Sequence, residues 1–258
     1  MPAPTIVAGA PCWNDLYSSD TDKAREFYGG LFGWTTMDPG PEYGGYFLFQ
    51  KDGKVVAGCM GNDGEQGVPD MWTIYLSTDD ADRTAEAAKA NGGQVHLEPM
   101  DVTQNGRFAM LADPGGASIG AWQPRDVSGF EIRGEAGAPA WFELWTRDFD
   151  ASVDFYRDVF GWDPHAVGDT DEFRYTTLGE GETALAGIMD ASQFLPEGAP
   201  AAWSVYFAVD DVDATLERCR AAGLRLIDET PRIGAEGKRI AFLHPSSTGG
   251  VLVELSEH

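Results

Sequence analysis

Two short segments place a carboxylate between aromatic residues at alternating positions. They read Trp13-Asn14-Asp15-Leu16-Tyr17 and Trp141-Phe142-Glu143-Leu144-Trp145. Alternate residues of a strand point to the same face, so each carboxylate would share a face with two aromatic rings. A carboxylate among aromatic walls loses hydration, which raises its pKa and suits it to act as a general acid or base. Asp15 and Glu143 are therefore candidate catalytic residues, although they could equally accept local hydrogen bonds and only fix the sheet.

A second pair of segments supplies partners for these carboxylates. Trp72-Thr73-Ile74-Tyr75 and Trp203-Ser204-Val205-Tyr206 show the same alternation. We assign Tyr75 and Tyr206 as catalytic partners of the carboxylates. Aromatic faces also bind flat or cationic ligands, although the tryptophans could be core residues. The candidate ligand-binding residues are Trp13, Tyr17, Thr73, Trp141, Trp145, Ser204, Trp122 and Glu254.

These segments belong to an internal repeat. Phe27-Tyr28 returns as Phe155-Tyr156, 128 residues later, and Val56-Ala57-Gly58 returns as Leu185-Ala186-Gly187 at an offset of 129. A fixed offset across several motifs indicates a duplicated fold. We therefore predict two domains, at residues 1–128 and 135–258, joined by a Gly/Pro/Ala-rich linker.

Each copy divides again into two modules. Four times, a short alternating strand is followed by an acidic helix cap and one amphipathic helix, after Asp20, residues 79–80, Asp148 and residues 210–211. Short β-rich runs separated by Gly, Pro and Asp follow each helix. The sequence predicts an α+β fold of four βαβββ modules, in which the two sheets of each copy pair to close a cup.

The composition limits the partners and the compartment. The 258 residues include 42 acidic and 18 basic ones, for a formal charge of −24. This charge repels phosphate backbones and anionic lipids, so we expect neither a nucleic-acid nor a membrane partner but a neutral, aromatic or cationic small molecule. No apolar run of about 18 residues and no basic leader occur, which predicts a cytoplasmic protein. We expect a monomer or a homodimer.

Further motifs carry a resemblance to a known family. Asp20 precedes Phe27-Tyr28 and Gly33-Trp34, Asp113-Pro114-Gly115-Gly116 follows, and His244-Pro245 comes before the final Val251-Leu252-Val253-Glu254-Leu255. Together with the repeat, these motifs make the chain similar to the vicinal oxygen chelate superfamily of glyoxalases, bleomycin-resistance proteins and extradiol dioxygenases, and to its two-domain actinobacterial members. The resemblance implies tandem glyoxalase-like domains, in which cup-shaped mixed sheets carry their helices outside.

The resemblance also implies where a metal would bind, because metal-dependent members place ligands on the first and last strands of each module. The corresponding positions here are Trp13, Thr73 and Gly120 in the first copy and Trp141, Gly187, Ser204 and Glu254 in the second, and residues 55–59 also contain no His or carboxylate. Only Glu254 matches a family ligand, and one carboxylate does not hold a catalytic metal. We therefore predict no metal and no other cofactor.

Three functions remain open at this point. The leading hypothesis is a metal-independent small-molecule-binding protein, acting in antibiotic resistance or secondary metabolism. The first alternative is a lyase, isomerase or hydroxylase-type enzyme of the same superfamily, which would use Asp15 or Glu143 as the acid or base. The second is a structural or interaction protein whose cups are filled by their own side chains.

Overall fold

A computed structural model describes residues 4–65, 67–234 and 237–257, and it confirms the tandem α+β fold. The first copy consists of eight strands and two helices in the order β1 (Pro11–Ser18), α1 (Thr21–Phe32), β2 (Thr35–Met37), β3 (Phe47–Lys51), β4 (Lys54–Gly61), β5 (Met71–Ser77), α2 (Ala81–Ala90), β6 (Gln94–Val102), β7 (Gly106–Ala112) and β8 (Ser118–Pro124).

The second copy repeats this order. Its elements are β9 (Pro139–Thr146), α3 (Phe149–Phe160), β10 (Pro164–Thr170), β11 (Phe173–Leu178), β12 (Ala186–Asp190), β13 (Ala202–Val209), α4 (Val212–Ala221), β14 (Arg232–Ile233), β15 (Arg239–Leu243) and β16 (Val253–Glu257). Short 3-10 turns lie at Pro41–Tyr43, Gly181–Thr183 and Pro245–Ser247.

Each copy forms one curled sheet of eight strands. The order is β2-β3-β4-β1-β5-β8-β7-β6 in the first copy and β10-β11-β12-β9-β13-β16-β15-β14 in the second. An antiparallel pair at the centre, β1 with β5 and β9 with β13, joins the two modules of each copy. The modules therefore pair within a copy, as the sequence predicts.

Acidic caps start three of the helices. The side chains of Asp20, Asp80 and Asp211 each accept a hydrogen bond from a backbone N–H in the first helical turn. These bonds satisfy N–H groups that have no partner inside the helix. Gly33 ends α1 and Gly161 ends α3, with φ angles of 70° and 72° that glycine adopts without strain.

The two faces of each sheet have different surroundings. Along β1, the side chains of Cys12, Asn14 and Leu16 are buried, whereas Trp13 and Asp15 on the opposite face are partly exposed. The buried face carries the helices and meets the other copy. The opposite face is the concave one, and we call it cup one in the first copy and cup two in the second.

Aromatic residues fill the space between the two copies. Phe207 of β13 packs against Trp34 and Trp72 of the first copy, with ring centroids 5.5 and 5.3 Å apart. The indole Nε1 of Trp34 donates to the carbonyl of Gly137, and Trp162 makes the equivalent bond to a carbonyl of the first copy. Trp34 and Trp162 are therefore core residues that join the copies, and neither lies at the mouth of a cup.

The cysteines and the helices show two features outside the cups. The thiols of Cys12, Cys59 and Cys219 are buried and form no disulfide. Among the described residues, no helix combines the length and the apolar character that a membrane crossing requires.

Candidate functional site

A carboxylate lies at the centre of cup one. Asp15 Oδ1 accepts hydrogen bonds of 2.8 Å from Trp13 Nε1 and of 2.8 Å from the Tyr46 hydroxyl. Burial raises the pKa of Asp15, while hydrogen bonds from Tyr46, Trp13 and Tyr75 act in the opposite direction. Burial also raises the pKa of Tyr75 well above its ordinary value, so this phenol is a hydrogen-bond donor at neutral pH.

Two glycines make room for this arrangement. Gly58 lies beside Asp15 in the parallel pairing of β1 and β4, and a Cβ there would collide with the Tyr46 hydroxyl and with Asp15. A Cβ on Gly120 would collide with the ring of Tyr75. The tyrosines therefore occupy the space that a longer side chain at either glycine would need.

Cup two repeats the cluster with a longer carboxylate. Glu143 accepts hydrogen bonds from Trp145 Nε1 at 2.5 Å, from the Tyr175 hydroxyl at 2.7 Å and from the Tyr206 hydroxyl at 2.9 Å. The Tyr175 hydroxyl also accepts a bond of 3.1 Å from Trp141 Nε1. Both carboxylate oxygens are thus bound by aromatic donors, and this fixes the orientation of the side chain.

Glu254 brings a second carboxyl group into cup two. It pairs with Tyr206 across β13 and β16 and is only 3% exposed. Burial raises the pKa of Glu254 to about 8, and the nearby charge of Glu143 adds to the increase. Hydrogen bonds from Ser204 and Tyr206 and the charge of Arg232 lower the pKa, without offsetting the burial. Glu254 is therefore mostly protonated at neutral pH.

The structure brings the other predicted residues to the same faces. Thr73 pairs with Asp15 and Ser204 pairs with Glu143 across the central strands. Tyr17 follows Asp15 by two positions on β1 and is partly exposed. Trp122 shares a face with Gly120 on β8, is partly exposed, and donates from Nε1 to the backbone carbonyl of Val127.

Sequence reasoning did not include Tyr46 and Tyr175, which supply a donor to each carboxylate. Tyr46 directly precedes β3, and Tyr175 lies on β11, so neither belongs to the strands that carry the aromatic segments. Their spacing is 129 residues, which is the offset of the repeat around residues 56–58. A tyrosine that recurs at the offset of the repeat is the sequence signal that identifies this pair.

Metal-dependent proteins with this fold hold a catalytic metal ion in the cup. The residues of the two cups in this chain do not fit such an ion. Gly58 and Gly120 supply no ligand, and the hydroxyl and indole donors already occupy Asp15 and Glu143. Within the described ranges, no group of three or more His, Cys, Asp or Glu side chains could hold a metal. Open metal sites in proteins use about three such ligands.

Comparison with known proteins assigns the family. The model of the Glyoxalase/Bleomycin resistance protein/Dioxygenase superfamily matches residues 11–120 and 138–255. The chain belongs to this superfamily. Each match covers most of one copy of the repeat, so the superfamily fold occurs twice in the chain.

Two relatives and one solved structure show how far the similarity extends. The anthracycline biosynthesis protein DnrV of Streptomyces peucetius is 37% identical over 98% of this chain and 95% of its own length. The ethylmalonyl-CoA/methylmalonyl-CoA epimerase of Cereibacter sphaeroides is 30% identical, but it covers 43% of this chain with 90% of its length. The Mn(II)-bound glyoxalase of Novosphingobium aromaticivorans shares the fold at 16% identity, with a TM-score of 0.68 over 97% of this chain and 82% of that chain.

Proposed function

We propose that the chain binds an uncharged, flat aromatic molecule in its cups without a metal ion, and that it serves the biosynthesis of an aromatic secondary metabolite of the anthracycline type. The observation that carries the proposal is the pair of carboxylate clusters, Asp15 with Trp13 and Tyr46, and Glu143 with Trp145 and Tyr175. Trp13 and Trp141, which lie on the first strands beside these carboxylates, occupy positions that the family resemblance assigns to metal ligands.

The chemistry of the cup walls supports an aromatic ligand. In cup two, Phe173 stacks on Tyr175 with centroids 5.9 Å apart and is 44% exposed, so part of this side chain is accessible to a ligand. The rings of Phe242 and Tyr206 form a T-shaped pair with centroids 6.0 Å apart. Aromatic side chains bind planar ligands by stacking, while a few polar groups fix the orientation.

The net charge of −24 supports a ligand that is not an anion. A strongly negative protein lowers the local concentration of anions and so weakens their binding. The identity of 37% with DnrV over nearly the whole length is the reason for choosing an anthracycline-type pathway among secondary metabolisms.

A thermal-shift experiment tests this proposal. The protein is treated with EDTA and heated with 1,4-dihydroxyanthraquinone, with and without Mn²⁺, Zn²⁺, Ni²⁺ or Fe²⁺. We expect the quinone to raise Tm in the absence of metal, because a ligand that binds only the folded state stabilises it. Glu143→Gln should reduce the shift, and Glu217→Gln, on the exposed face of α4, should not. A large shift with a metal alone would contradict the proposal.

One observation favours a second candidate, an acid–base lyase or isomerase. Glu143 and Glu254 lie close enough for the charge of one to raise the pKa of the other, and the Tyr206 hydroxyl interacts with both. Paired carboxyl groups in different environments can divide the roles of acid and base. Turnover that is lost in Glu143→Gln and is insensitive to EDTA would favour this enzyme over a binding protein.

A further inference from the structure

The two cups differ at one position of the last strand. In cup one, Gly120 pairs with Tyr75, and the ring of Tyr75 covers it. In cup two, the residue that pairs with Tyr206 in the same register is Glu254. The duplication has therefore kept a central carboxylate in both cups but a second carboxyl group only in cup two.

One oxygen of this second carboxyl group lacks a partner. Glu254 Oε2 is fully buried and has no hydrogen-bond partner in the described part of the chain. Leaving a buried polar atom without a partner is costly, and in native proteins such atoms are rare and often belong to functional sites. Because Glu254 shares its face with Tyr206, the carboxyl group lies on the concave side, where a ligand would sit.

The charged and titratable groups around Glu254 keep it neutral near pH 7. Glu143 faces it from β9, Tyr206 from β13 and Arg232 from β14. Arg232 is on the surface, pairs with Asp228 and stacks over the Phe242 ring, so its charge is shared and screened. Burial and Glu143 prevail, and the pKa of about 8 leaves a proton on the carboxyl group. Glu254 can then donate a hydrogen bond, which a carboxylate cannot.

We propose that cup two is the ligand-binding cup and that Glu254 donates a hydrogen bond through Oε2 to a carbonyl oxygen of an uncharged polycyclic aromatic ketone or quinone. This inference rests on the proposed function, which it deepens by naming the cup and the polar group of the ligand. A carbonyl oxygen accepts hydrogen bonds and carries no charge, so it matches a neutral donor beside aromatic walls. A cationic ligand would instead need Glu254 ionised.

A titration with two matched probes tests the inference. The probes are 9-fluorenone, which has one carbonyl and no titratable group, and fluorene, which has the same rings without the oxygen. Binding is followed by quenching of tryptophan fluorescence at pH 6.5 and pH 9.5, with wild-type protein and with Glu254→Gln, Glu254→Leu and Glu217→Gln. We expect fluorenone to bind the wild type roughly tenfold more weakly at pH 9.5, because Glu254 has then lost its proton.

The variants distinguish the effect of the hydrogen-bond donor at Glu254 from a general effect on the shape of cup two. Glu254→Gln keeps an N–H donor and should remove the pH dependence while holding the affinity for fluorenone within about threefold. Glu254→Leu should weaken fluorenone binding about tenfold at pH 6.5, since it removes one hydrogen bond to the ligand. Fluorene should respond to neither variant nor to pH, and Glu217→Gln should behave as wild type with both probes.

Three results would overturn the inference, and each is distinct from failure of the proposed function. The first is an affinity for fluorenone that is the same in Glu254→Leu and in the wild type. The second is fluorenone binding that is stronger at pH 9.5 than at pH 6.5. The third is loss of binding in Asp15→Asn while the Glu254 variants bind as the wild type does, which would place the ligand in cup one. If neither probe binds the wild type, the proposed function itself fails. The pH dependence of the wild type decides the inference even if a Glu254 variant does not fold.

Discussion

Gly58 lies directly beside Asp15 in the parallel pairing of β1 and β4, and the Tyr46 hydroxyl and Asp15 Oδ1 occupy the space above its Cα. The carboxylate cluster of cup one therefore depends on a residue without a side chain. In cup two, Gly187 has the same relation to Glu143, and the Tyr175 hydroxyl occupies the space above it.

We expect Gly58→Ala to displace Tyr46 from Asp15. The added methyl group cannot coexist with the hydroxyl, so one hydrogen bond to the Asp15 carboxylate is lost and the cup is overpacked. The free energy of unfolding should fall by about 1–3 kcal/mol. Urea unfolding measures this change. Gly61→Ala, near the end of the same strand and with open space around its Cα, should change the stability little, and an equal loss in both variants would contradict the explanation.

The stability should depend on pH through Glu254. Its folded-state pKa of about 8 lies above the ordinary value of 4.5, so the folded protein holds a proton that the unfolded chain has released. The contribution of Glu254 to the free energy of unfolding is therefore fully present below about pH 4.5, and it is lost as the pH rises through about 8. Between pH 6 and pH 9 the loss should be about 2–3 kcal/mol, at 1.36 kcal/mol for each pH unit up to the pKa.

The measurement compares urea unfolding of the wild type and of Glu254→Gln across this range. The glutamine variant has no carboxyl proton to release. Between pH 6 and pH 9, its free energy of unfolding should therefore fall by about 2–3 kcal/mol less than that of the wild type. Asp113, whose pKa burial raises to about 6, contributes equally to both proteins and cancels in the difference. Parallel curves for the two proteins would show that Glu254 is ionised at neutral pH.

The two equivalent tyrosines Tyr28 and Tyr156 should differ in their contribution to stability. The Tyr156 hydroxyl donates to Asp113 of the other copy at 3.3 Å and accepts from Trp203 Nε1 at 2.7 Å. The Tyr28 hydroxyl accepts from Trp72 Nε1 at 3.0 Å. Tyr156→Phe leaves a buried indole N–H and a buried carboxylate oxygen without this partner, whereas Tyr28→Phe affects only an indole.

Tyr156→Phe should therefore lower the free energy of unfolding by about 1–3 kcal/mol more than Tyr28→Phe does, as expected for one additional unsatisfied buried group. Urea unfolding of both variants at pH 7 provides the test. Equal losses would mean that the bond between Tyr156 and Asp113 adds nothing to the association of the two copies.

Gly30 offers a stabilising substitution. It lies inside α1, and a Cβ there would meet no atom within 4 Å. Gly30→Ala should raise the free energy of unfolding by roughly 0.5–1 kcal/mol, because glycine pays a larger entropic cost in a helix. Gly29→Ala is the control, since its Cβ would lie 3.3 Å from the backbone oxygen of Trp34 and the gain should be offset. A thermal melt distinguishes the two variants.

Local signals in the sequence predict the fold well. Acidic caps at Asp20, Asp80 and Asp211 and the apolar spacing of each helix act within a few residues, so their effect does not depend on the rest of the chain. Because the sequence is a repeat, each of these local signals occurs in both copies and supports the same element twice. The alternation along β1 also predicts that Trp13 and Asp15 share one face, because residues two apart in a strand point the same way.

Contacts across distant strands are harder to predict. Tyr46 reaches Asp15 only because Gly58 leaves room, and these three residues come from three different parts of the first module. Likewise, no local sequence pattern predicts that Phe207 packs against Trp34 and Trp72 of the other copy. Such contacts depend on how whole sheets meet, which a periodicity of two or 3.6 residues does not encode.

The aromatic layer between the copies bears on how such a chain could have arisen. An isolated first copy would expose Tyr28, Trp34 and Trp72, which Phe207 now helps to cover. A polypeptide of half this length would thus be driven to self-associate through that surface before its gene was duplicated. After fusion, the covering surface is present on every molecule at a fixed local concentration, and either cup is free to diverge while the other preserves the shared interior.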